Sequence, residues 1–180
     1  MRFVRSVVLS ALAIGAGCAG TPDGISPVTG FDLSRYLGTW YEIARLDHQF
    51  ERGLSNVSAV YTLREDQGID VQNRGYDDAR DEWREARGRA YFMGDPAVAS
   101  LSVTFFWPFY GGYHVIALDQ DDYAHALVCG PNRSYLWILA REPRLDQATR
   151  DRLIGIAKEL GFDTDGLIMV RHDPVPPSPG

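Results

Sequence analysis

Cysteine is almost absent from this 180-residue chain, which holds only Cys18 and Cys129. A framework of several disulfides is excluded, so a folded domain must be held by its own core. Metal-binding spacings are missing too: neither Cys-x-x-Cys nor His-x-x-x-His occurs, and His48, His114, His125 and His172 are dispersed. No Gly-x-Ser-x-Gly elbow is present, which removes the usual serine-hydrolase route. Basic charge is short as well. Lys and Arg number 18 against 24 Asp and Glu, a formal net charge of -6, so nucleic acid is a poor partner. There is no internal repeat, and the apolar run from Val7 to Ala16 is too short to remain in a bilayer as a spanning helix. What is there is a chain 45% hydrophobic, of a length that suits one well-buried domain.

Arg2 and Arg5 ahead of the apolar run give the order of a secretory signal, so residues 1–17 are expected to be removed. Gly15-Ala16-Gly17-Cys18 resembles the lipobox at which bacterial lipoproteins are cleaved and acylated, with Gly15 where the lipobox usually carries a branched aliphatic residue. The resemblance implies a lipidated Cys18 as mature N-terminus and a membrane reached through that anchor. Ala19, in place of an aspartate that would retain the protein at the inner membrane, implies the periplasmic face of the outer membrane. Cleavage after Ala19 by ordinary signal peptidase is the alternative. Loss of residues 1–17 takes away two arginines and leaves 16 basic residues against 24 acidic ones, a net charge of -8. An acylated Cys18 leaves Cys129 as a lone thiol. Residues 18–30, rich in Gly, Pro, Thr and Ser, read as a flexible tether, 31–172 as the domain, and 173–180 as a loose tail.

From Phe31 the texture changes. A short helical turn leads into Gly38, and strands are expected near 39–47, 55–65, 68–76, 84–93, 98–107, 111–119, 122–130 and 134–141. Glu65-Asp66-Gln67-Gly68 and Asp119-Gln120-Asp121-Asp122 suit hairpins, and Gly130-Pro131-Asn132-Arg133 suits a tight corner. Alternation is clearest in Ser100-Leu101-Ser102-Val103-Thr104-Phe105, with one apolar and one hydroxyl-bearing face. The expected fold is all-β: an eight-stranded antiparallel up-and-down barrel. After it, Asp146 can cap a helix over 147–160 whose Leu153, Ile156, Ala157 and Leu160 form one stripe against the barrel's outside, and 167–170 suits a short edge strand.

Three stretches resemble the lipocalins, closest to the bacterial members and their apolipoprotein D-like relatives: Gly38-Thr39-Trp40-Tyr41-Glu42-Ile43-Ala44-Arg45, Asp122-Tyr123, and Trp137-Ile138-Leu139-Ala140-Arg141. The resemblance runs from Phe31 to Val170. It implies that Gly38, Trp40 and Arg141 close the base of the barrel, and that the function is binding of a hydrophobic ligand, most readily a fatty acid or lysophospholipid. It implies no cofactor and no metal, and leaves monomer or homodimer open.

By alternation the lumen would be faced by Val57, Ala59, Tyr61, Val71, Leu101, Val103, Phe105, Tyr113, Val115, Tyr135 and Trp137, a nearly dry wall for an acyl chain. The same pattern would equally fill the barrel with a core. Small residues at Ala59, Ala86, Gly88 and Ala90 favour a pocket. Asn73 would put an amide in the lumen, for a head group or for a neighbouring side chain. The aromatic stretch Phe105 to Tyr113 is expected at the closed end beside Trp40, packing around the base in preference to forming an exposed lip. The competing function is an enzyme on this scaffold using Cys129 as nucleophile, or a histidine, with His114 and His125 facing each other on adjoining strands; a small buried hydrophobe is the other reading of Cys129.

Overall fold

The computed structural model describes residues 20–174; the expected signal segment, Cys18 and all of the tail beyond Pro174 lie outside them. In chain order the elements are α1 (Leu33–Tyr36), β1 (Gly38–Leu46), β2 (Leu54–Leu63), β3 (Ile69–Asp77), β4 (Glu82–Phe92), β5 (Ser100–Phe106), β6 (Phe109–Leu118), β7 (His125–Cys129), β8 (Leu136–Ala140), α2 (Gln147–Glu159) and β9 (Leu167–Met169). Each of β1 to β7 pairs antiparallel with the next, and β8 pairs antiparallel with β1, so the sheet closes on itself. β2 accompanies β1 only from Gly38 to Tyr41 and then peels away. β9 takes its place along Ala44 to Leu46, so the upper half of β1 keeps a ladder partner.

Two layers of core follow. Ile43, Ala44, Leu127, Leu136 and Ile138 point outward and are covered by Leu153 and Ala157 of α2. That helix starts where Asp146 accepts a hydrogen bond from the Thr149 amide at 2.9 Å. Inside the barrel, Trp40, Val115, Val128 and Leu139 gather around Tyr36 and Phe31, and Ile69, Val71, Ala90 and Leu101 form a second inner cluster.

Strand parity fixes the ends. α1, Gly38 and the β2–β3 turn lie at one end; the β1–β2, β3–β4, β5–β6 and β7–β8 connections therefore lie at the other. This corrects the placement of the aromatic stretch. β5 runs away from the base as β1 does, so its hairpin with β6 sits at the open end, and Phe106, Trp107 and Phe109 are 76%, 80% and 77% exposed there.

The segment expected as a tether is docked over most of its described length. Ile25 is buried in the outer core, the Val28 amide donates to the Val115 carbonyl at 2.9 Å, and the Ala99 amide donates to the Val28 carbonyl at 3.0 Å. Polar and turn-forming composition hides these backbone bonds from the sequence.

Candidate functional site: the barrel lumen

At the base, Gly38 adopts φ +91°, a conformation open to glycine at little cost. The tight entry lets Arg141 reach across: its guanidinium lies 4.0 Å from the Trp40 ring centroid, and Nη1 and Nη2 donate to the Thr39 and Arg35 carbonyls at 2.8 and 2.6 Å. Trp40 is fully buried and its indole N–H donates to the Tyr36 carbonyl at 2.8 Å. Burial pulls the Arg141 pKa below its ordinary value, with Tyr36, Tyr113 and Tyr61 opposing. These residues seal the floor.

Above the floor, the register sets rows of inward side chains. Trp40, Ala59, Asn73 and Ala86 lie opposite one another across β1 to β4; Tyr61, Val71 and Gly88 form the next row. Three of the tyrosines share hydroxyls, Tyr36 with Tyr113 at 2.7 Å and Tyr61 to Tyr113 at 3.0 Å. Burial pushes all three phenols up, Tyr61 to about 12. They stay neutral and satisfy one another, a polar thread through an apolar wall.

The small residues divide by role. A Cβ on Gly88 would come within 2.6 Å of the Thr104 carbonyl and 2.8 Å of the Phe105 ring. Gly88 therefore makes room for Phe105, which corrects its reading as space left for a ligand. Gly111 is different. It pairs with Val103 on the inner face, two residues from Tyr113, and a Cβ there would meet nothing within 4 Å. Ala86 is inward by register yet exposed, because β4 pairs with β5 only from Arg89 onward. Asn73 Oδ1 is buried and without a hydrogen-bond partner. Val57 is buried against Gly75, and Val115 is fully buried.

Toward the mouth stands a charged group that strand alternation conceals. Glu42 and Arg45 are three residues apart, which in a regular strand puts them on opposite faces. A bulge shifts the β1–β8 register between Glu42 and Ala44, so Glu42 lies opposite Leu139, Arg45 lies opposite Trp137, and both point inward. Arg45 Nη1 meets Glu42 Oε1 at 2.7 Å, and Nη2 donates to the Glu51 and Leu54 carbonyls at 2.8 and 3.2 Å. The β1–β2 loop is thereby pinned over the rim. Trp137 donates its indole N–H to Glu51 Oε2 at 3.1 Å, His48 Nε2 approaches that oxygen at 3.0 Å, and Tyr135 stacks on Trp137. Burial and the neighbouring Glu51 push the Glu42 carboxyl well up, outweighing Arg45. Burial works the same way on Glu51, but His48 and Trp137 hold it net below the usual value. Arg45 Nε and His48 Nδ1 are buried without hydrogen-bond partners.

The groups considered for catalysis are not brought together. Cys129 is fully buried on the outer side of the barrel, and burial raises its thiol to about 12, so it carries no thiolate at neutral pH. His114 lies opposite Cys129 and bonds Ser100, whereas His125 lies opposite Ala140 and contacts Arg152. They do not face each other. No cluster of metal-ligating side chains occurs among the described residues. A cleft of about 710 Å³ lies along β2 to β5; most of its lining, Thr62, Gln72, Arg87 and Arg89 included, alternates with the inward set and faces outward, with Val71, Gly88 and Phe105 of the inner face beside it.

A floor sealed by Trp40 and Arg141, an inner wall that is mostly apolar and a charged rim at the far end define a one-ended barrel, a class of protein built to enclose a small ligand. The chain belongs to the lipocalin family: the lipocalin-like domain matches residues 31–172. It is 51% identical over 169 residues to the outer membrane lipoprotein Blc of Citrobacter freundii, covering 94% of this chain and 95% of that protein. It is 49% identical over 172 residues to the outer membrane lipoprotein Blc of Vibrio cholerae, covering 96% and 99%. The fold is also that of insecticyanin from the tobacco hornworm Manduca sexta, with a TM-score of 0.68 at 20% identity over 86% of this chain and 87% of that one.

Proposed function

We propose that this lipocalin binds a fatty acid or lysophospholipid in its lumen and stores or ferries it within the bacterial envelope, anchored to the periplasmic face of the outer membrane through acylated Cys18. The observation that carries the reading is the open space at Gly111, on the same inner face as Tyr113 and Val103. Near the open end, the inner face at this position is not closed over by packed side chains. An acyl chain gains about 0.8 kcal/mol per buried methylene, on the order of 10 kcal/mol gross for a long chain before ordering costs. Val71, Leu101, Val103 and Tyr113 supply the apolar wall, and Asn73 Oδ1, Arg45 Nε and His48 Nδ1 are polar atoms without partners to which a head group can bond. The names of the relatives, outer membrane lipoproteins, support the anchor and its membrane.

Displacement of a fluorescent fatty acid, read with Trp137 quenching, tests the lumen; a saturable one-site signal is expected, and a filled core gives none. Mass spectrometry of co-purifying lipid then identifies head group and chain length. Growth with labelled palmitate is expected to mark the wild type and leave Cys18→Ala unlabelled, and an unlabelled wild type contradicts the anchor.

A further inference from the structure

The chain leading back to Cys18 leaves the barrel at its open end, not at its floor. Arg133 sits in the β7–β8 connection, an open-end loop by strand parity. Its Nε donates to the Leu160 carbonyl at the far end of α2 and its Nη2 to the Asp23 carbonyl, at 2.8 and 2.7 Å. From Asp23 the chain descends the outside of the barrel as a strap: Ile25 lies in the core beneath α2, Thr29 bridges Val98, and the Phe31 amide reaches the Ala97 carbonyl near the floor. Cys18 precedes Asp23 by five residues, a reach of at most about 18 Å. An anchor at Cys18 thus draws the mouth, and not the floor, toward the lipid.

The rim is built for such a surface. The β5–β6 hairpin presents Phe106, Trp107 and Phe109 almost fully to solvent, and Phe50 on the β1–β2 loop is 62% exposed. The two connections are four strands apart in a ring of eight, so their aromatic tips stand on opposite sides of the mouth. Aromatic side chains in this position partition into the boundary between head groups and acyl chains. Apolar side chains inserted beside the anchor add buried apolar area and fix which face of the protein meets the lipid.

We propose that the open end is a membrane-docking face: the anchor at Cys18 and the aromatic tips Phe50, Phe106, Trp107 and Phe109 seat the mouth on the bilayer, so lipid exchanges between leaflet and lumen without crossing water. This rests on the anchored lipid-binding reading above and adds the orientation.

The test uses the full lipidated protein in vesicles of phosphatidylethanolamine and phosphatidylglycerol whose acyl chains carry bromine as a quencher. Wild-type tryptophan emission is expected to fall by about one quarter, the share of one tryptophan in four. Trp107→Phe removes most of that fall, and Phe106→Ser with Phe109→Ser reduces it. Equal quenching in wild type and Trp107→Phe overturns the docking face. So does an unquenched Trp107 whose hairpin cross-links to a second copy, since the tips then cover a protein interface. Fatty-acid binding measured on the same samples separates the two readings. Quenching without binding keeps the orientation and sinks the ligand; binding without quenching does the reverse.

Discussion

The two ends of this barrel are made of opposite materials. At the floor, Trp40 is fully buried, its N–H is bonded to Tyr36, and Arg141 spends its donors on backbone carbonyls while lying over the indole. At the mouth, Glu42, Arg45, His48 and Glu51 stand within the wall with polar atoms left unpartnered, and bare aromatic tips surround them. A fully satisfied end contributes stability and has nothing left to offer a ligand. The incompletely satisfied end costs stability and is where recognition can occur.

The contrast is broken most severely at the floor. Trp40→Ala is expected to lower unfolding free energy by about 3–5 kcal/mol in a denaturant titration, since a large fully buried ring is lost from a site that cannot collapse. Arg45→Met follows, at about 3–5 kcal/mol near pH 8, because it strips the partner from buried Glu42. Its cost should shrink as pH falls and Glu42 takes up a proton. The wild type should show the same trend more weakly. A folded-state carboxyl pKa raised above the unfolded value favours folding at low pH, and that contribution is lost as pH rises through the raised value. A Glu42→Gln variant should flatten this part of the melting-temperature profile; an unchanged profile contradicts the assignment.

Arg141→Ala is a smaller lesion. Loss of its stacking and carbonyl bonds should cost about 1–3 kcal/mol and lower the melting temperature, while fatty-acid affinity stays nearly unchanged. A stable variant that has lost binding would make the floor part of the site. Smallest is Asn73→Leu, expected to weaken lysophospholipid or fatty-acid binding by only a few-fold, the worth of one net hydrogen bond of about 1 kcal/mol. Titration with both ligands would show whether the amide senses the head group.

Strand count, order and closure were legible because alternation in stretches such as Leu101, Val103 and Phe105 repeats with period two and the turns carry their own residue signatures. The helix was legible for the same reason: Asp146 caps it, and Leu153 and Ala157 carry its buried stripe. The charged mouth was not. A one-residue bulge at Ile43 leaves no compositional mark, yet it turns Arg45 from the outer face to the inner. The docked strap is hidden because its bonds are made by backbone atoms, which every residue has. The end at which the aromatic hairpin lies was within reach of sequence, since it depends only on counting antiparallel strands from Gly38. Gly88 and Gly111 are the same residue with opposite meanings, one filled by Phe105 and one facing open space, and only the neighbours across the sheet distinguish them.

Gly111 therefore offers the most direct test that the lumen, and not the signature at the floor, carries the function. Fluorescent fatty-acid titration of wild type and Gly111→Phe, with thermal melts alongside, compares an open lumen with one filled by a single ring. Saturable binding in the wild type, lost by more than about tenfold in a variant that melts within a few degrees of it, is the predicted result. Equal affinity in the two proteins, or no saturable binding in the wild type, would contradict it.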